Sequence, residues 1–94
     1  MRLGDHFQQI KKKYNDIFFS GICFDHRQFK KNYIFFAIKG NNIDGNNFIP
    51  SVIKKGCKII ITEKKFNDKK NKVLFIQTKN IRKLLAKISF SIFK

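Results

Sequence analysis

Acidic residues are scarce in this chain. Six Asp and Glu stand against 21 Lys and Arg, a formal net charge of +15 over 94 residues. Tryptophan is absent, proline occurs once and cysteine twice. Each shortage excludes something. Cys23 and Cys57 stand far apart, with no CxxC spacing, inside or beside apolar runs. That argues against a zinc site or a disulfide framework and for buried free thiols in a reducing, cytoplasmic setting. No apolar run approaches a length of about 18 residues, so no membrane-spanning helix is expected. The start, MRLGDHFQQIKKKY, is polar and lacks the apolar stretch of a signal peptide. The GxxxxGK[ST] phosphate loop is missing, as are RNP-type and GXXG nucleic-acid motifs. No metal site and no catalytic residue are expected.

What is present suits one small folded domain. Apolar residues make up 43% of the chain, above what a disordered chain carries. A chain of this size buries roughly 60–65% of its unfolded surface, enough for a single core. The core leans on Phe, of which there are 12, and on Ile. The charge itself has two readings. A polyanion partner such as nucleic acid would explain it. So would a compositional bias, because the cations are mostly Lys, with Arg only at Arg2, Arg27 and Arg82. The lysine runs are dispersed along the chain, and an evolved nucleic-acid surface carries more Arg for bidentate contacts. The compositional reading is preferred, and the alternative of a small basic nucleic-acid-binding module is retained.

Periodicity predicts an α/β domain: a small mixed sheet of about four strands with three helices. Leu3, Phe7 and Ile10 mark one face of a helix over Leu3 to Tyr14. Ile17 to Phe24 reads as a strand with a bulge or a close backbone approach at Gly21. Asn32 sits where the chain turns. Ile34 to Ile38 (IFFAI) is continuous enough to be a strand covered on both faces. Asn47 is the expected cap of a helix over Phe48 to Lys55, with Pro50 in its first turn and Gly56 ending it. Cys57 to Thr62 and Val73 to Gln77 are further strands, separated by a charged loop from Glu63 to Lys72. Asn80 caps a last helix with Ile81, Leu84, Leu85, Ile88 and Ile92 on one face.

Two loops carry the candidate chemistry. Asp25-His26-Arg27 follows the first strand, but neighbouring residues on extended chain point to opposite faces, so no catalytic triad is read from it. Asp25 is instead expected to cap the following turn, with Arg27 paired to a carboxylate. Ligand binding at this strand end is the better reading, because sites in α/β domains gather there. Gly40-Asn41-Asn42-Ile43-Asp44-Gly45 follows the second strand. Its glycines let the backbone approach a ligand closely, and its Asn side chains offer donors and acceptors.

The order Asp25-x-Arg27, Ile34 to Gly40 (IFFAIKG), Asp44-Gly45-x-x-Phe48-Ile49, Ile53-x-x-Gly56, then VLFIQT and Asn80-x-Arg82-x-x-Leu85-Ala86, resembles the N-terminal domain of the Mur ligases. These are ATP-dependent enzymes that add amino acids to the peptidoglycan precursor during cell-wall biogenesis and so serve cell shape. The resemblance runs from about Ile17 to Lys94. It is strongest to the ligase that adds the third residue, meso-diaminopimelate or L-lysine, to UDP-N-acetylmuramoyl-L-alanyl-D-glutamate; the ligase that adds D-alanyl-D-alanine stays open.

The resemblance implies that residues 1–94 are one such domain, binding the UDP end of a UDP-N-acetylmuramoyl-peptide. Phe24, His26, Asn41, Asn42 and Ile43 would be the contacts, with Asp25, Arg27, Gly40, Asp44 and Gly45 supporting the loops. Departures from the family pattern are His26 in place of Ser or Thr, Asn32-Tyr33 in place of Gly-Asp, and Cys57 in place of Ala. In the family an ATP-binding central domain and a C-terminal domain follow. ATP and Mg²⁺ are implied for that full-length enzyme and no cofactor for this chain. As it stands the chain is expected to be a fragment or remnant without the catalytic centre, a monomer or a partner of those ligase domains.

Overall fold

The computed structural model describes residues 1–8, 10–65 and 72–93. Strands β1 (Gly21–Cys23), β2 (Tyr33–Ala37), β3 (Ile59–Thr62) and β4 (Leu74–Gln77) form one sheet in the order β1-β2-β3-β4. Helices α1 (Leu3–His6), α2 (Ile49–Lys54) and α3 (Ile81–Phe93) accompany it. The α/β class, the four strands and the three helices agree with expectation. One detail of the expected sheet is corrected: it is parallel in every pairing, not mixed. Parallel neighbours cannot be joined by a tight hairpin, so each connection must cross over. Among the described residues antiparallel pairing is confined to two isolated bridges, Arg2 with Phe18 and Lys39 with Asp44.

The alternation of side chains explains the layering. Ile34 and Phe36 of β2 and Ile59 and Ile61 of β3 face one core, closed by Leu3 and Phe7 and by Ile81 and Ile88 of α3. Phe35, Ala37 and Ile60 face the other, closed by Ile49 and Val52 of α2 with Cys23 and Cys57. Ile34, Phe35 and Phe36 are wholly buried, each stabilising the fold by roughly 1.5–3 kcal/mol. This is the two-sided cover that the unbroken apolar run predicts.

The N-terminal helix is corrected. Helix α1 ends at His6, and a short 3₁₀ turn, Lys12–Tyr14, follows in place of one helix to Tyr14. The reason lies in the backbone donors. Leu3 N–H is taken by the Ile17 carbonyl and Gly4 N–H by that of Asn15, both at 2.9 Å, so the chain folds back on itself. Leu3, Phe7 and Ile10 still meet the core, from this doubled segment rather than from one helix face.

Strand β1 is shorter than expected, and a Cβ at Gly21 would lie 2.9 Å from the Tyr33 ring, which is the close approach expected there. Asn32 takes φ 65° and Gly56 φ 100°, both in the left-handed region. Asn47 is not the cap of α2. The helix starts at Ile49 after a 3₁₀ turn, Gly45–Phe48, which Asp44 caps. Asn80 does cap α3, accepting from Lys83 N–H at 3.0 Å. Of the charged loop, residues 66–71 lie outside the described residues.

Cys23 and Cys57 are free and buried. Burial pushes the Cys23 thiol up to about 12 and raises that of Cys57 as well. Both should therefore resist a disulfide-exchange reagent at neutral pH and react only as the chain unfolds. Labelling that rises in step with denaturant unfolding is the expected result; fast labelling of the native chain would contradict the packing.

Candidate functional site

Because the strands are parallel, their carboxyl ends lie on one edge, and the loops leaving β1, β2 and β3 emerge side by side. A cleft of about 800 Å³ opens there. Its walls are the 24–27 loop, the 38–45 loop, Phe48, and helix α3 through Arg82, Leu85, Ala86 and Ser89.

The first loop is shaped by Asp25. Its carboxylate accepts from Arg27 N–H at 2.9 Å and from the Arg27 guanidinium at 3.1 and 2.8 Å, closing the 3₁₀ turn His26–Gln28. Those bonds hold the Asp25 carboxyl down at about 2. His26 lies flat on Phe48, ring centroids 3.8 Å apart and planes 5° from parallel. The bulk of His26 is thus absorbed by a partner supplied from the turn before α2. Phe24 projects outward, 62% exposed.

The second loop is pinned at its base. Gly45 N–H donates to the Ile38 carbonyl and Gly40 N–H to that of Ile43, both at 2.8 Å. A Cβ on Gly45 would stand 2.8 Å from backbone atoms of Ile38, so only glycine fits. Asp44 accepts from the backbone and side-chain N–H of Asn46 at 2.9 and 2.8 Å and from Lys64 at 3.3 Å. The Asn46 side chain, then its backbone N–H, then Lys64 lower the Asp44 carboxyl below its ordinary range. Asn46 in turn accepts from the buried Thr62 hydroxyl at 2.6 Å, which ties the loop to the end of β3.

The structure brings Phe24, His26 and Ile43 together on one cleft, with Asp25, Arg27, Gly40 and Gly45 in its walls. Asn41 and Asn42 are exposed at the tip of the second loop and do not line it. Sequence reasoning did not include Ile38, Phe48, Arg82, Leu85, Ala86 and Ser89 among the site residues. Arg82 had a signal, its place in the Asn80-x-Arg82 stretch; the stacking of Phe48 on His26 had none. A smaller cleft of about 490 Å³ lies between β4, the N-terminal segment and α3, away from both loops.

The family model described as "Mur ligase family, catalytic domain" matches residues 19–90. The UDP-N-acetylmuramoyl-L-alanyl-D-glutamate–2,6-diaminopimelate ligase of Clostridium tetani is 45% identical over 73 residues, covering 76% of this chain and 15% of the relative. The Fusobacterium nucleatum enzyme of the same name is 37% identical over 91 residues, covering 97% and 19%. The chain therefore spans less than a fifth of these curated relatives. Among solved structures, a MurF crystal structure from Acinetobacter baumannii superposes with TM-score 0.69 over 92% of this chain and 17% of its own, at 23% identity, a likeness of fold alone. The UDP-N-acetylmuramoylalanyl-D-glutamyl-2,6-diaminopimelate–D-alanyl-D-alanyl ligase of the same organism matches with TM-score 0.64 and 25% identity over 73% of this chain and 15% of that one.

Two outcomes test the loop architecture. Thr62→Val removes the donor to Asn46 and leaves a part-buried amide oxygen unpaired, so stability should fall by about 1–3 kcal/mol in a denaturant titration. Asp25 gives a pH signature. Its folded value is depressed, so its contribution is complete above the ordinary value of 3.8 and is lost as pH falls through about 2. An NMR titration of the carboxyl should show a midpoint near 2, moving up towards 3.8 in Arg27→Ala.

Proposed function

The chain belongs to the Mur ligase family, and on that premise we propose that residues 1–94 form the N-terminal domain of such a ligase and hold the uridine diphosphate end of a UDP-N-acetylmuramoyl-peptide. The observation that carries this reading is the convergence of Phe24, His26 and Ile43 on one cleft at the carboxyl edge of a parallel sheet. Ligands of open α/β sheets gather at that edge. Phe24 and Ile43 are 62% and 65% exposed on two pinned loops that border the same cleft. Between them a flat uracil ring is desolvated on both faces. His26, half-buried on Phe48, stands in the floor with a hydrogen-bonding edge. Asn41 and Asn42 serve the rim, reaching polar groups that leave the cleft.

The role of this chain is to bind and position. ATP and Mg²⁺ belong to a whole ligase of the family, and the residues here do not fit them. The chain has no phosphate-loop sequence. Among the described residues no group of three or more His, Cys, Asp or Glu is arranged to hold a metal ion. The ligase reaction, the identity of the residue added and a place in the cytoplasm belong to the full-length protein in this proposal. Among the described residues no helix is long and apolar enough to cross a membrane. The nucleic-acid alternative motivated by the +15 charge gains nothing here. The relatives named above are ligases, and the lysines do not gather on the cleft.

Titration of the chain with UDP, with uridine and with a random single-stranded oligonucleotide, at two salt concentrations, tests the proposal. Saturable binding of uridine and UDP that survives the higher salt is expected. Phe24→Ala and Ile43→Ala should each weaken both ligands by about tenfold, the scale of one lost stacking contact. Oligonucleotide binding that collapses with salt, with no response to uridine or UDP, would make the charge the functional feature instead.

A further inference from the structure

The cleft is lined by two guanidinium groups, and they are not equivalent. Arg27 is committed: its side chain closes on Asp25 at 2.8 Å, so its charge is neutralised in place. Arg82 is not. Among the described residues its side chain makes one polar contact, a long bond of 3.5 Å to the Lys39 carbonyl oxygen. Among the described residues no carboxylate pairs with it. Glu63 is engaged elsewhere, accepting the backbone N–H of Ile81 at 2.9 Å. The neighbouring lysines are likewise occupied: Lys64 by Asp44 at 3.3 Å and Lys55 by the His26 carbonyl at 3.4 Å.

Arg82 is also well anchored. Ile81, beside it, is buried in the core, and Asn80 caps the helix just before. The Cα of Arg82 is therefore fixed while its side chain lines the same cleft as Phe24 and Ile43. A planar guanidinium with free N–H groups matches phosphate oxygens in a fork, at shorter and stronger bonds than a neutral donor makes.

We infer that Arg82 holds a phosphate group of the ligand in this cleft and sets its preference for a nucleoside diphosphate over the nucleoside. The inference rests on the uridine-nucleotide reading above and adds to it a residue and a division of labour. The apolar tips take the ring, Arg82 takes the diphosphate, and Arg27 shapes the loop without touching the ligand. The long bond to the Lys39 carbonyl is exchanged for charged bonds when the anion arrives.

Calorimetric titration of the wild-type chain and of Arg82→Ala, Arg82→Lys and Lys83→Ala with uridine and with UDP decides the matter. Lys83→Ala removes the same charge one residue on, from a side chain that does not line the cleft. The expected result is that Arg82→Ala weakens UDP about tenfold and leaves uridine unchanged, the scale of a lost charged hydrogen bond. Arg82→Lys should recover part of that loss, since it keeps the charge and loses the fork, and Lys83→Ala should bind UDP like wild type. Equal weakening of uridine and UDP by Arg82→Ala, no weakening of either, or the same loss in Lys83→Ala would overturn the inference and leave the ring site standing. A wild-type chain that binds neither ligand would remove the nucleotide reading, and this inference with it. Arg82 is exposed, so its truncation should leave the melting temperature unchanged. Should Arg82→Ala melt early, Arg82→Lys, which retains the stem, carries the same comparison.

Discussion

The structure depends on β2. Like β3 it is buried on both faces and paired on both edges, with β1 through Cys23 opposite Phe35 and with β3 through Ala37 opposite Thr62, and its two ends lead out of and into the loops of the cleft. A strand in that position cannot slip. A shift of one residue would turn Ile34 and Phe36 towards α2 and Phe35 towards α3, and every contact of both cores would be exchanged. Because its neighbours run parallel to it, fixing its register also fixes where three loops leave the sheet. The cleft is thus a consequence of the core: the 24–27 and 38–45 loops are neighbours because the strands before them are locked side by side.

The loops then need their own restraints, since a long polar loop loses entropy when ordered. The structure supplies them from inside the loop and from the sheet below. Gly45 lets the chain return within 2.8 Å of Ile38 backbone atoms, and Lys39 and Asp44 bridge across the loop's neck. Thr62, the one buried polar residue of the described core, is satisfied through Asn46 and through Lys64 N–H at 3.1 Å. Ile43 can therefore stand exposed at the tip of a stiff support. An apolar side chain on a floppy loop would collapse onto the surface; on a stiff one it remains available to a ligand at little ordering cost.

Much of this was legible from residue types with a single mechanical meaning. The run IFFAI announced a doubly covered strand, Asn32 and Gly56 the left-handed turns, and Asn80 the cap of α3. Leu3 to Tyr14 misled because a helical spacing of apolar residues can also be met by a chain that doubles back. What decides is whether residues 15–17 offer acceptors to Leu3 and Gly4, and local pattern does not contain that. The parallel arrangement was implicit in the helix read between the second and third strands, since a strand–helix–strand order joins parallel neighbours. Within the cleft, the two loops were readable because Gly, Asn and Asp signal exposed backbone. The α3 wall and Phe48 were not, since a helix residue that lines a cleft looks the same in sequence as one that faces water. His26 on Phe48 shows the limit well: the pair joins residues from different connections and has no signature in either.

The imbalance of charge acquires a structural sense once the few acids are located. Asp5 and Asp16 meet Arg2 at the surface, at 3.4 and 3.6 Å, distances at which exposed pairs contribute little. Asp25, Asp44 and Glu63 all sit at the carboxyl edge of the sheet, and each accepts a backbone N–H that shapes the cleft: that of Arg27, of Asn46 and of Ile81. Three of the five carboxylate side chains among the described residues are thus placed where loops must be held, and internal bonds consume them. A cleft built this way presents no free anion to a negatively charged ligand, while the lysines elsewhere lend the whole molecule a positive field. That field is screened beyond about 8–10 Å at physiological salt. It favours encounter with any anion and discriminates among none. On the proposed reading, selection rests on the short-range geometry of the cleft, on two apolar tips and one guanidinium, and not on the +15 that dominates the composition.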